Sequence, residues 1–192
     1  MYFNQKKGKL IIISGPSGSG KTTIVKYLLG CNLNLFFSIS ACSRPKRKNE
    51  KDGIDYHFLS VDEFKLKIAE GEFLEWEEVY QDNFYGTLKS EVLNKINLGC
   101  NIIFDVDVIG AKSLKSIFKE QALSIYIQAP SVKSISQRLV ARQTESESQI
   151  SFRLDKAKHE VKEKKFFDYI LINDKLNIAK QTVLQKAQDF LN

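Results

Sequence analysis

Cysteine, histidine and proline are scarce in this chain. Three cysteines, Cys31, Cys42 and Cys100, stand among 192 residues; their odd number and the lack of any CxxC spacing argue against a disulfide framework and a zinc site. The two histidines, His57 and His159, lie far apart in sequence, so neither a histidine metal centre nor Ser–His catalysis is indicated. No apolar run approaches the roughly 20 residues of a membrane span. The polar start Met1-Tyr2-Phe3-Asn4-Gln5-Lys6-Lys7 has no apolar signal-peptide stretch, and the expectation is a cytoplasmic protein without a membrane partner. Repeats and low-complexity tracts are absent too. What remains is a chain with 43% hydrophobic residues, enough to bury a core as one domain with inserted subdomains.

The net charge is +6, and Arg44-Pro45-Lys46-Arg47-Lys48 could pass for an RNA-binding patch. No aromatic RNP-like pattern or zinc finger accompanies that charge, so no nucleic-acid partner is expected. A lysine-rich solvated surface, combined with sites for small polyanions such as nucleotides, accounts for it better.

One segment carries chemistry on its own. Gly15-Pro16-Ser17-Gly18-Ser19-Gly20-Lys21-Thr22 follows the apolar run Leu10-Ile11-Ile12-Ile13 and matches GxxxxGK[ST], the phosphate-binding loop between a strand and a helix. Backbone N–H groups of such a loop converge on phosphate oxygens, and the following helix adds the positive end of its dipole. Lys21 would reach the outer phosphates of a nucleoside triphosphate, and the Thr22 hydroxyl would be a magnesium ligand. A chance glycine-rich turn would need no such context. Here a β-branched run leads in, and residues 23–29 lead out with apolar residues at helical spacing until Gly30.

Five β-rich apolar runs, at 9–14, 35–40, 101–108, 123–128 and 169–173, alternate with helical patterns. That alternation predicts an α/β protein with a largely parallel, buried sheet. Residues 40–99 are too long for an ordinary crossover and predict an inserted subdomain. Within it, Ser60-Val61-Asp62-Glu63 is a capping box for a helix over 61–70 that Gly71 closes. A strand over 74–79 and a turn at 81–83 follow. After Pro130, residues 131–162 are charged and helical, a pattern that suits a lid or a plain pair of surface helices.

Ser40, Arg44, Arg47, Glu50, Gly53 and Tyr56 form the pattern SxxxRxxRxxExxGxxY, in which arginine forks and a tyrosine hydroxyl suit a phosphate. This closely resembles the monophosphate-binding motif of guanylate kinases. The resemblance runs on through Phe73-Leu74-Glu75-Trp76, Tyr85-Gly86-Thr87, Asp105-Val106-Asp107 with Gly110, Arg138, Arg142, Thr144-Glu145, Arg153 and Ile172-Asn173-Asp174. Departures are Cys42-Ser43 where Thr-Thr is common, Val108-Ile109 where Gln usually precedes the glycine, Gln143 where Gly often follows, and one extra residue between Glu75 and Tyr85.

The resemblance implies a P-loop fold with a core (1–38, 91–131 and 163–192), a GMP-binding subdomain (39–90) and a lid (132–162). It implies transfer of a phosphoryl group from ATP to GMP, and dGMP is a candidate second acceptor. Gly15, Pro16, Ser17, Gly18, Ser19, Gly20, Lys21, Thr22, Thr23 and Asn173 would bind ATP. Arg44, Arg47, Tyr56 and Tyr85 would hold the GMP phosphate, and Ser40, Glu75 and Thr87 would read guanine. Asp105 would orient the water shell of magnesium or contact the acceptor base. Lys21, Arg44, Arg138, Arg142 and Arg153 would carry catalysis; Arg138 and Arg142, four residues apart, share a helix face. Readings set beside this one are a P-loop kinase for another nucleotide or a sugar phosphate, and a non-catalytic guanylate-kinase-like module.

Overall fold

The computed structural model describes residues 7–131, 134–136, 138 and 160–192. Its centre is β1 (Leu10–Ser14), every residue of which is fully buried. Parallel neighbours flank it: β7 (Asn101–Asp105) on one side and β8 (Ala122–Gln128) on the other. With β2 (Leu35–Phe37) and β9 (Tyr169–Ile172) at the edges, the all-parallel order is β2-β7-β1-β8-β9.

Because side chains alternate across a strand, the unbroken Leu10–Ile13 run feeds two cores at once. Ile11 and Ile13 pack with Ile24, Val25 and Leu28 of α1 (Lys21–Leu29) and with Ala179, Val183 and Ala187 of α5 (Leu176–Leu191). Leu10 and Ile12 pack on the other face with Val92 and Ile96 of α3 (Lys89–Asn97) and with Ala111 and Leu114 of α4 (Val108–Phe118). Three α/β/α layers follow, as the alternation of strand and helix signals requires.

Strands β2 and β7 are shorter than their apolar runs. β7 stops at Asp105 because Asp107 is already the cap of α4, its carboxylate accepting the Gly110 N–H at 2.8 Å.

The segment between β2 and β7 holds a second, four-stranded sheet in the order β4 (His57–Phe58), β3 (Ala41–Cys42), β6 (Asn83–Leu88), β5 (Phe73–Tyr80). Its helix α2 (Val61–Ala69) opens with the expected capping box: Ser60 Oγ accepts the Glu63 N–H at 3.2 Å, and the Glu63 carboxylate accepts the Ser60 N–H at 2.7 Å. The stretch between Glu75 and Tyr85, where one extra residue is expected, forms the hairpin β5–β6. The pairing slips between Glu78 and Tyr80, a bulge, before the turn at Gln81 and Asp82, where Asp82 adopts φ 59°. Ser43, one of the departures, fastens this turn, donating to the Asp82 carbonyl and accepting the Phe84 N–H, both at 2.8 Å.

A small aromatic core holds the second sheet together. Phe64 of α2, wholly buried, stacks on Phe73 at 4.4 Å and on Phe84 at 5.4 Å between ring centroids. In so small a layer no neighbour can fill the gap left by that ring. Phe64→Ala should therefore cost about 3–5 kcal/mol of stability by denaturant unfolding; a loss under about 1 kcal/mol would mean the sheet stands without its aromatic stack.

Candidate functional site

The loop from Gly15 to Gly20 joins the carboxyl end of β1 to the amino end of α1, where open parallel sheets bind ligands. Gly15, Gly18 and Gly20 take φ values of 137°, 80° and 101°, a region that costs other residues strain. A Cβ at Gly15 would run into the Ile127 carbonyl, and one at Gly20 into the Asn173 side chain. The loop thus lies directly on the β8 and β9 ends of the sheet. Lys21 folds over it, donating from Nζ to the carbonyls of Gly15 at 2.6 Å and Pro16 at 3.2 Å.

Two side chains brace the loop from behind. Asn173 Nδ2 donates to the Ser19 carbonyl at 2.8 Å; Arg138 donates to the carbonyls of Gly18 at 3.3 Å, Ser19 at 3.2 Å and Asn173 at 3.2 Å. Asn173 does not cap the last helix, which begins at Leu176 after Lys175. Thr23, Gly18, Gly20, Arg138 and Asn173 also border a separate recess of about 290 Å³ beside Asp174 and Leu176.

The parallel register places Asp105 next to Ile13 at the root of the loop. Thr22 Oγ1 donates to Asp105 Oδ2 at 2.7 Å. A hydroxyl and a carboxylate so close are hard oxygen donors of the kind a magnesium ion takes. The Ser14 and Ser19 hydroxyls nearby are buried and bond nothing among the described residues, leaving polar capacity on the loop for a further group. The residues present therefore fit a magnesium-bound phosphate.

Across from the loop the second sheet supplies the far wall of a cleft of about 360 Å³. Gly15, Ser17 and Lys21 line one side, while Ser40, Arg44, Arg47, Tyr56, Glu75 and Tyr85 line the other, with Asp105 at its floor. Thr87, 1% exposed, does not line the cleft and meets it only through its hydrogen bond to Glu75. Residues scattered over more than sixty positions of sequence thus face a single space. Glu77, Val79, Val106, Asp107 and Glu160 also line it. Sequence reading passed over Glu77, Val79 and Glu160; only tertiary packing brings Glu160 to the cleft that β5 lines.

Arg44 is fixed by every neighbour. Its guanidinium meets Glu50 in a two-pronged bridge, Nη1 to Oε2 at 2.7 Å and Nη2 to Oε1 at 2.6 Å, while Nε donates to the Tyr85 hydroxyl at 3.0 Å. It lies over the Tyr56 and Phe58 rings at 5.0 and 5.7 Å. The Arg44 bridge holds the Glu50 carboxyl down at about 2, so the pair stays charged throughout the neutral range. Arg47 is the opposite case: its side chain is 68% exposed at the rim, 3.9 Å from Glu50. Burial raises the Tyr56 hydroxyl, which stays a neutral donor.

Glu75 and Thr87 are paired neighbours on β5 and β6. The Thr87 hydroxyl donates to Glu75 Oε1, leaving the other oxygen free of that bond. Desolvation pushes the Glu75 carboxyl up to about 7, Asp107 adding to it and the Thr87 hydrogen bond opposing it. A carboxylate kept partly out of water with one side chain donor is a group waiting for donors. Arg142 and Arg153, together with Gln143, Thr144 and Glu145, lie outside the described residues.

The chain is similar over nearly its whole length to known proteins. A protein-family model described as guanylate kinase matches residues 7–189. The guanylate kinase of Bacteroides fragilis is 50% identical over 185 residues, 96% of this chain and 91% of that protein; that of Chlorobaculum tepidum is 42% identical over 185 residues, 96% and 94% of the two chains. The crystal structure of guanylate kinase from Anaplasma phagocytophilum superposes with a TM-score of 0.78 at 25% identity, covering 97% of this chain and 87% of that one. With the phosphate-loop motif, the family-model match and the whole-length likeness in agreement, the chain belongs to the guanylate kinase family.

Proposed function

We infer that this protein transfers the γ-phosphoryl group of ATP to GMP, giving ADP and GDP. The observation that carries the reading is that one cleft has the phosphate loop with Lys21 on one wall and Glu75 with Arg44 on the other. Donor and acceptor phosphates would meet there. Guanine presents two adjacent donors, N1–H and the 2-amino group, which a carboxylate accepts together. Adenine presents an acceptor at N1 and has no 2-amino group, so it would leave the Glu75 carboxylate unpaired. Ser40 and Thr87 complete the base site in this reading, while Arg44, Arg47, Tyr56 and Tyr85 hold the acceptor phosphate.

The attacking atom is a phosphate oxygen, already ionised at neutral pH, so the site needs no general base. Catalysis then rests on positioning and charge. Arg44 is held by Glu50 and Tyr85 before substrate arrives, so its charge needs no reorganisation. Lys21 would leave the Gly15 and Pro16 carbonyls for the outer phosphates of ATP. Arg138 keeps the loop in shape through its carbonyls, and with Arg142 and Arg153 it belongs to the proposed lid, residues 132–162. Kinases that use ATP require a divalent metal; Thr22, with Asp105 through water, would hold magnesium, which when bound neutralises phosphate charge. The core (1–38, 91–131 and 163–192) and the acceptor subdomain (39–90) correspond in this reading to the walls of the cleft. Asn173 acts on the ATP side by bracing Ser19.

ADP release from ATP–Mg²⁺ should occur with GMP and not with AMP, CMP or UMP. Turnover with a different acceptor would remove Glu75 from base recognition. Lys21→Ala should lower kcat about 10²–10³-fold, the scale of one lost charge-stabilising donor, with an unchanged melting temperature; near-normal turnover would rule Lys21 out of the reaction.

Glu75 has a second readout. Its folded carboxyl, near 7, lies above the unfolded value of 4.5, so the native state binds the extra proton between those values. Its contribution to stability is full below the unfolded value and is lost as pH rises through about 7. Glu75→Gln should therefore melt above the parent at about pH 8 and equal it near pH 4.5, while the KM for GMP rises about ten- to a hundredfold at neutral pH. A melting difference that is the same at both pH values would contradict the buried-carboxylate account.

A further inference from the structure

Gly110 stands in the first turn of α4 and is buried, its N–H donated to the cap residue Asp107. A Cβ built on it would lie 2.6 Å from Glu75 Oε2, 3.1 Å from Glu75 Cδ and 3.3 Å from Asp107 Oδ1. Those three nearest atoms all belong to carboxylate side chains, and Gly110 is not among the glycines with positive φ. Its backbone conformation therefore suits any residue. Gly86 on β6 differs: a Cβ there would meet the Glu75 carbonyl at 2.8 Å, a backbone atom that cannot step aside.

We propose that Gly110 is a specificity-determining position, its missing side chain leaving the space in which the Glu75 carboxylate lies and thereby setting which purine the acceptor site takes. The proposal rests on the reading of Glu75 as the guanine contact. Glu75 Oε1 is tied to the Thr87 hydroxyl, and Oε2 occupies the hollow over Gly110. A methyl group in that hollow must swing Oε2 out, tilting the carboxylate away from the plane in which one group can meet two donors. GMP, with N1–H and 2-amino donors, loses one of its two bonds. IMP, which has only N1–H, has less to lose.

The test is Gly110→Ala. Alanine is the better helix former, so a helix with room for it should melt at the same temperature or higher. The KM for GMP should rise about ten- to a hundredfold, the worth of one charge-assisted hydrogen bond, and the preference for GMP over IMP should fall by about tenfold. The KM for ATP should stay within about twofold. In a Glu75→Ala background the same substitution should change nothing further, because the group it displaces is gone.

An unchanged KM for GMP in Gly110→Ala, where Glu75→Ala does lose GMP use, overturns this inference and leaves the base contact standing. If Glu75→Ala also keeps normal GMP use, both ideas fall. Should Gly110→Ala fold poorly, the double variant is compared with Glu75→Ala alone. Equal melting temperatures place the clash at the carboxylate as proposed, and a lower one places it in the helix packing and sinks the proposal.

Discussion

Everything in this molecule hangs on the burial of one strand on both faces. Residues 10–14 have no exposed surface at all, so β1 cannot shift its register by a single residue without carrying apolar side chains from one core into the other. Because β7 and β8 are locked to it in parallel, the loop leaving its carboxyl end has a fixed root. Asp105 is delivered beside Thr22 by the same register. The hydrophobic effect thus does the aiming, and the polar groups of the loop need only complete it.

The second sheet answers to a different constraint. It is thin, stacked on a few aromatic rings, and it turns Glu75, Glu77 and Tyr85 into the cleft. Glu75 shows the cost: desolvation drives its carboxyl up to about 7, so the folded chain disfavours the ionised form. Such a group lowers stability in order to be available, as functional sites commonly do. Arg44 resolves the opposite problem, since its charge is partnered by Glu50 and roofed by aromatic faces.

How much of this was legible in the chain varies with the length of the signal. The loop at 15–22 and the buried parallel strands were, because a fixed motif and continuous apolar runs are local facts. The strands β3 and β4 were not: two residues each are too few to show a period. β6 escaped as well, since Gly86 interrupts its pattern, and α3, whose exposed positions mix Leu93 with Lys89, Ser90, Asn94 and Asn97, announces no strong stripe. At the site, the arginines and Glu75 acquire meaning through their order relative to the loop, whereas Glu160 stands 85 positions beyond Glu75 and has no pattern to betray it. Of the aspartates at 105 and 107, the first closes the strand that the apolar run Ile102-Ile103-Phe104 announces, whereas no pattern marks the second as the cap of α4.

The two arginines lining the cleft opposite the loop differ in when their freedom is given up. Arg44, 10% exposed at its side chain, has been locked into one rotamer by folding itself, whereas Arg47, 68% exposed, still samples solvent. Holding a rotamer-rich side chain costs roughly 0.5–1.5 kcal/mol at the moment of association unless that loss has already occurred. The entropy of immobilising Arg44 is taken from the stability of the fold, whereas that of Arg47 would be lost only if it takes part in binding, as proposed.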